Sequence, residues 1–256
     1  MERGALYIVW GEAAGGLLDR SVASLKRFHS NVPIHVERLP EGAGLLDKAR
    51  MLTMSPFETT VFLDADTVVL GPLDFGFEMA RRDGLACCIC ECPWAARYGE
   101  WAGQGTGEWG EDWAGRGERA GVGKTPRSPL SRGARAAPTV EYNTGVLFWS
   151  KEKAWKVFQA WEESAAMIDS SITWRRGGEW HRMAENDQAG FAKAVADTGT
   201  NPFVLPLNWN FRPAWQRSWF GKIVIWHDQM GVPGALFEGN DSAGPMVFHQ
   251  LQLQVA

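Results

Sequence analysis

In the stretch TTVFLDADTVVLGPLD, residues 59–74, Asp64 and Asp66 stand one residue apart, directly after the strand-forming run 61–63. Their carboxylates repel each other, and neither is stable in an apolar setting without a cation or hydrogen-bond donors beside it. If strand geometry continues through them, both side chains leave the same face and their oxygens converge. Converging carboxylate oxygens suit a hard divalent cation, Mn²⁺ or Mg²⁺, which keeps open positions for the phosphates of a substrate. A surface turn or helix cap uses the same Asp-X-Asp spacing. The buried run before the pair and the apolar TVVLGPLD after it favour the metal.

Two other stretches invite a chemical reading. All four cysteines fall in CCICEC, at 87, 88, 90 and 92, with C-x-x-C and C-x-C spacings. A zinc site needs a second cysteine or histidine pair at suitable spacing, which the chain lacks. On a strand, Cys88, Cys90 and Cys92 share one face and pack as small apolar groups. GVGKT, residues 121–125, imitates a phosphate-binding loop, but that loop requires glycine where this chain has Glu118, and no strand precedes it.

The aspartates need a scaffold. ALYIVW (residues 5–10) reads as a buried strand, and Leu18, Val22 and Leu25 then recur at helical spacing. VPIHVERL is a second strand, LLDKARMLTMS a helix that stops before Pro56, and TTVFLDAD a third strand. This alternation predicts an α/β, Rossmann-like, mostly parallel sheet with helices on both faces. Ligands gather at the carboxyl ends of such strands, where the two aspartates lie.

Further on, GLACCICEC and VEYNTGVLFWS read as strands. Ser150 is placed to cap a helix whose stripe is Ala154, Phe158, Trp161, Ala165 and Ile168. ENDQAGFAKAVAD is a shorter helix, and FVLPLNWNFRP and GKIVIWHD are short apolar segments that run into polar residues. Residues 93–138 differ from all of these, with ten glycines, tryptophans at 94, 101, 109 and 113, and no aliphatic periodicity. They read as a long loop or arm within a single domain spanning residues 1–256.

At 256 residues, 45% hydrophobic, the chain is long enough for one sizeable α/β core. A net charge of −4, spread along the chain, argues against a nucleic-acid or polybasic membrane binder. No apolar run has the length of a transmembrane segment, and the N-terminus has no secretory signal pattern. Together with the clustered cysteines, this points to a cytoplasmic protein.

In order, the segments YIVWGE, SVASLKRF, LLDKARML, VFLDADTVVLGPLD, YNTGVLFW, NDQAGF and LPLNWNF resemble glycosyltransferases of the glycogenin and bacterial lipopolysaccharide galactosyltransferase kind, which have the glycosyltransferase A fold. The resemblance covers most of the chain except the arm. It implies a retaining enzyme that moves a sugar from a nucleotide diphosphate sugar, UDP-sugar favoured, to an acceptor hydroxyl on a carbohydrate or other molecule, with Mn²⁺ or Mg²⁺ as cofactor.

The resemblance also implies roles. Asp64, Ala65 and Asp66 would meet the donor, with Asp64, Asp66 and His227 holding the metal. Lys48 would contact the donor, and Val9, Trp10 and Gly11 its base and ribose. Asn143 would lie near the sugar, Gly145 would let the backbone come close, and Asp187 and Gln188 would face the reacting carbon. Each has a plainer reading: Lys48 as an exposed helix lysine, Trp10 as core, Asp187 as a helix cap, His227 as a structural histidine. Asp228 or His249 could stand in for His227 as ligand.

One departure stands out. The family has a glycine and a lysine after that histidine to grip the diphosphate, whereas HDQMGVPGAL offers Gly231 one place late and no lysine. Between Arg116 and Arg135 the arm carries six basic residues, Arg116, Arg119, Lys124, Arg127, Arg132 and Arg135, against Glu118 alone, a stretch whose charge suits the donor or an anionic acceptor; a solvated loop would look the same. Two competing functions remain at this level: a sugar-phosphate nucleotidyltransferase of the same fold type, and a carbohydrate-binding protein that uses its fourteen tryptophans.

Overall fold

The computed structural model describes residues 2–11, 14–90, 140–167, 172–176, 179–213, 216 and 221–232. The arm at 93–138, with its basic stretch 116–135, and Cys92, Ile168 and His249 lie outside them.

The sheet is built on β1 (Arg3–Val9), buried from Gly4 to its end. Its side chains alternate between two cores: Ala5, Tyr7 and Val9 enter one, Leu6 and Ile8 the other. β3 (Thr59–Leu63) does the same, with Val61 and Leu63 on the first side and Phe62 on the second. Burial on both faces is why these strands read as continuous apolar runs. β1 pairs in parallel with β2 (Ile34–Arg38) on one side and with β3 on the other.

Beyond β3 comes β6 (Tyr142–Ser150), antiparallel to it, then β5 (Leu85–Ile89) and β9 (Phe203–Leu205). The order is β2-β1-β3-β6-β5-β9, with β6 alone reversed. The fold class read from the sequence, α/β with a mostly parallel sheet and helices on both faces, is the one observed. Strand direction carries no sequence signal of its own, so the reversal of β6 is new information.

Helices α1 (Ala14–Phe28) and α3 (Asp74–Asp83) cover the first face through Leu18, Leu25, Phe77 and Met79. The second face carries α4 (Lys151–Met167) and α5 (Asp187–Asp197). There Trp149, Phe158, Trp161 and Phe191 stack in series, with ring centroids 5.1, 5.8 and 4.7 Å apart. Full burial of one such phenylalanine stabilises by about 1.5–3 kcal/mol. Among the described residues there are also two small ribbons: β4 (Thr67–Val69) antiparallel to β10 (Ile225–His227), and β7 (Ile172–Arg176) antiparallel to β8 (Glu179–Met183). Among the described residues no helix is long and apolar enough to cross a membrane.

Several local expectations are corrected. LLDKARMLTMS is not one α-helix: residues Leu45–Arg50 form a 3₁₀ helix, followed by the single turn α2 (Met51–Met54). Asp47 accepts from the Gly44 amide at 2.9 Å and tightens that first turn. The cysteine strand ends at Ile89, its register to β6 slipping between Cys87 and Ile89, so Cys90 lies past the regular strand. Asn186, not Asp187, caps α5, its side chain accepting from the Gln188 amide.

Candidate functional site

β3 delivers Asp64 to the carboxyl edge of the sheet, where its amide donates to the Gly145 carbonyl of β6 at 2.9 Å. The chain then turns: the Thr67 amide and hydroxyl both donate to the Asp64 carbonyl, at 3.1 and 2.8 Å, and β4 begins. β10 lies antiparallel to β4 with His227 opposite Thr67, and the Asp228 amide donates to the Asp66 carbonyl at 3.0 Å. That register brings the imidazole over the two carboxylates. His227 Nε2 is 3.2 Å from Asp66 Oδ1 and 3.8 Å from Asp64 Oδ2.

Behind the turn runs a buried line of hydroxyls. Thr67 Oγ1 spends its proton on the Asp64 carbonyl, so it accepts from Ser21 Oγ at 3.0 Å, and Ser21 in turn accepts from Tyr7 at 3.1 Å. Ser24 of α1 donates to the Ser21 carbonyl and accepts from the Val69 amide. Each of these hydroxyls has a partner, as burial demands. β1, α1 and β4 are thereby tied to the turn that carries Asp64 and Asp66.

In front of the turn the groups are charged. Lys48 is 3% exposed and its ammonium lies 3.0 Å from Asp64 Oδ1 and 3.0 Å from Asp187 Oδ2. Burial opposes its charge, but Asp187 and Asp64 more than offset this and hold it above the ordinary lysine range. Burial pushes the Asp64 carboxyl up against the pull of Lys48 and His227. Burial acts the same way on Asp66, but the hydrogen bond and charge of His227 prevail and hold it down at about 2.

Asp187 Oδ2 also accepts from Thr144 Oγ1 at 2.6 Å, and the Asp187 carbonyl accepts from the buried Trp161 indole at 3.1 Å. Gln188 donates to buried Glu141 at 3.0 Å. Asn143 Oδ1 accepts from the Gly145 amide at 2.9 Å and from Asn210 at 2.8 Å. These residues surround a cleft of about 140 Å³ lined by Lys48, Asp64, Asn143, Asp187, Gln188 and His227, with Arg212 also on its wall.

Gly145 sits at the back of that cleft. A β-carbon there would lie 2.3 Å from His227 Cε1 and 2.7 Å from Asp64 Oδ2. Only glycine lets strand β6 approach the carboxylate and imidazole this closely.

One ligand atom each from Asp64, Asp66 and His227 lies within 4.8 Å of the other two. Two carboxylates and an imidazole form a donor set suited to Mn²⁺ or Mg²⁺, and a cation between them relieves the mutual repulsion of the acids. The residues present therefore fit a divalent metal. Asp228, the alternative ligand, is not in the cluster.

The other candidates lie elsewhere. Val9 is buried in the first core, Trp10 packs half-buried against the second, and Gly11 follows with φ 68°. None of the three lines the cleft among the described residues. Ala65 packs against the first core. Thr144, Glu141, Asn210 and the Tyr7–Ser21–Thr67 line escaped the sequence reading, and so did the β7–β8 hairpin. For the hairpin a signal existed, Gly177-Gly178 between two runs with aromatic residues.

No family model and no curated protein sequence matches the chain. Solved structures do. Mouse xyloside xylosyltransferase 1 in its apo form aligns over 91% of this chain and 99% of its own, with a TM-score of 0.51 at 13% identity. The galactosyltransferase LgtC, in complex with donor and acceptor sugar analogs, aligns over 88% of this chain and 86% of its own, with a TM-score of 0.52 at 12% identity. The chain has the glycosyltransferase A fold, with the Asp64–Asp66 turn at the carboxyl edge of its sheet.

Proposed function

We propose that the protein is a metal-dependent glycosyltransferase. It moves a sugar from a nucleotide diphosphate sugar, UDP-sugar favoured, to a hydroxyl of a carbohydrate or other acceptor, with retention at the transferred carbon. One observation carries the reading: Asp64, Asp66 and His227 converge beside a cleft that Lys48, Asn143, Asp187 and Gln188 also line, from three separate elements.

Asp64, Asp66 and His227 would hold a divalent cation, which would supply positive charge to offset that of the departing nucleoside diphosphate. In the transfer, the bond from the sugar carbon to the diphosphate oxygen breaks, the acceptor oxygen bonds to that carbon, and the acceptor's proton leaves with the diphosphate or to water. Val9, Trp10 and Gly11, at and just past the end of β1, would take the base and ribose, and Ala65, between the two aspartates, would meet the donor. Lys48 holds Asp64 and Asp187 in a fixed relation, so the sugar and metal ends of the site keep their spacing. Asp187 leaves Oδ1 without a protein partner among the described residues, ready to accept from a sugar hydroxyl. Asn143 has spent its oxygen twice, so it meets a ligand as a donor through Nδ2.

The test is incubation of the full chain with a panel of nucleotide sugars and Mn²⁺, scoring nucleoside diphosphate release and glycosylated product. Release that disappears with chelator is expected. Release of pyrophosphate in a parallel incubation with a nucleoside triphosphate and a sugar 1-phosphate would instead identify a nucleotidyltransferase, and sugar binding indifferent to metal, without turnover, would identify a carbohydrate-binding protein.

A further inference from the structure

The hydrogen-bond pattern behind His227 has one consistent proton assignment. Asn143 Oδ1 accepts from the Gly145 backbone N–H at 2.9 Å, and a backbone N–H is a donor under all conditions. That atom of Asn143 is therefore the oxygen. The Asn210 group 2.8 Å away from it must then be the NH₂, which turns Asn210 Oδ1 towards the imidazole. His227 Nδ1 lies 2.8 Å from Asn210 Oδ1, so Nδ1 carries a proton. Its Nε2 faces Asp66 and Asp64, and in the neutral ring it does so with a lone pair. Free neutral imidazole divides its proton between both nitrogens, so an assignment this definite requires an outside group to impose it.

Asn210 is 1% exposed and both ends of its amide are bonded to side chains of the site, Nδ2 to Asn143 and Oδ1 to His227. It follows the 3₁₀ turn Leu207–Trp209, and the neighbouring Phe211 amide donates to the Ile225 carbonyl while its carbonyl accepts from the His227 amide. The same short segment thus anchors the backbone of β10 and the ring of its last residue. A ligand ring fixed through its second nitrogen is oriented before the metal arrives.

We propose that Asn210 is a positioning residue of the metal centre: it holds His227 in the Nδ1–H form with Nε2 directed at the cation, and through Asn143 it couples that ring to the sugar side of the cleft. The proposal rests on the metal-dependent reading above, and its test separates the two. Mn²⁺ affinity of the full chain is measured by calorimetry for the native protein, Asn210→Leu and Asn210→Asp. The His227 tautomer is read from imidazole ¹⁵N shifts of the metal-free proteins at a pH where the ring is neutral.

Asn210→Leu removes the acceptor, and its Mn²⁺ affinity should fall about 10- to 100-fold, with the ring losing its Nδ1–H preference. Asn210→Asp keeps an acceptor facing Nδ1, and should retain that tautomer and bind Mn²⁺ more tightly than the leucine variant. Thermal melting without metal confirms that each variant is folded; if the leucine variant does not fold, the aspartate variant and the native ¹⁵N shifts carry the decision. Native-like affinity and tautomer in Asn210→Leu, or an Nε2–H ring in the native protein, overturns the proposal. A native chain that shows the Nδ1–H ring yet binds no Mn²⁺ overturns the metal reading and supports the fixing of the ring.

Discussion

The two sides of the Asp64–Asp66 turn are built on opposite terms. Behind it, Tyr7, Ser21 and Thr67 form a line of neutral hydroxyls that ends on a backbone carbonyl, every proton directed to an acceptor. In front, Asp64, Asp187, Lys48 and His227 line a cleft of about 140 Å³, with Asp66 beside the imidazole. The rear network needs nothing from outside. Lys48 satisfies Asp64 and Asp187 at the front, while Asp66 and Asp64 still present oxygens to an imidazole nitrogen that serves equally as a ligand. Fixed backing and an incompletely neutralised face are what a binding turn requires: the first sets geometry, the second supplies affinity.

The contrast can be broken from the front. Asp66→Asn keeps the shape of the side chain and a hydrogen-bond partner for His227 but removes one carboxylate. Mn²⁺-dependent turnover should drop by about 10³-fold, equivalent to roughly 4 kcal/mol, while near-ultraviolet circular dichroism stays native. Turnover within tenfold of native would mean that the front does not hold the metal. Lys48→Met strips the shared cation from two acids of which Asp187 is itself buried. Uncompensated buried charge costs about 3 kcal/mol, to be read by denaturant unfolding, and a change under 1 kcal/mol would show that the acids are better solvated than the geometry implies.

The rear should respond in stability before it responds in chemistry. Thr67→Val leaves the Asp64 carbonyl without that donor and the Ser21 hydroxyl without its acceptor, at a cost of about 1–3 kcal/mol. A variant as stable as the native chain, with normal turnover, would remove the rear network from the account.

A smaller effect probes the opposite end of the sheet. Burial holds His29 below its ordinary value near 6.5, despite the pull of Asp74, and its Nε2 accepts from the Leu73 amide at 2.7 Å. Below that value the unfolded chain binds the proton and the folded one resists it, so this group lowers stability as the pH falls through 6.5 and below. His29→Gln should flatten that part of the stability profile, measured by thermal melting from pH 5 to 7.5; an unchanged slope would assign it to other groups.

Much of the fold was legible because β1 and β3 are buried on both faces and their composition says so, and because α4 carries an unbroken apolar stripe. The candidate site was legible where a residue type is costly in its setting, as with Asp64 after an apolar strand. Asn210 and Thr144 carry no such mark, since a single uncharged polar residue in an apolar run is ordinary. Their roles arise from contacts across 67 positions for Asn210 with Asn143 and 43 for Thr144 with Asp187, which no local pattern encodes. Local pattern alone gives Lys48 as an exposed helix lysine, and only the family resemblance singles it out; the 3₁₀ winding of Leu45–Arg50 accompanies its burial at the acids. The reversal of β6, which places Asn143, Thr144 and Gly145 beside Asp64, is likewise a property of the whole sheet.

The most direct measurement is an anomalous-scattering map from a crystal of the full chain grown with Mn²⁺ and UDP. The account predicts one strong manganese peak bonded to Asp64, Asp66 and Nε2 of His227, with the diphosphate on its open side. Manganese found only at other residues, or no peak between these three at saturating Mn²⁺, would contradict it.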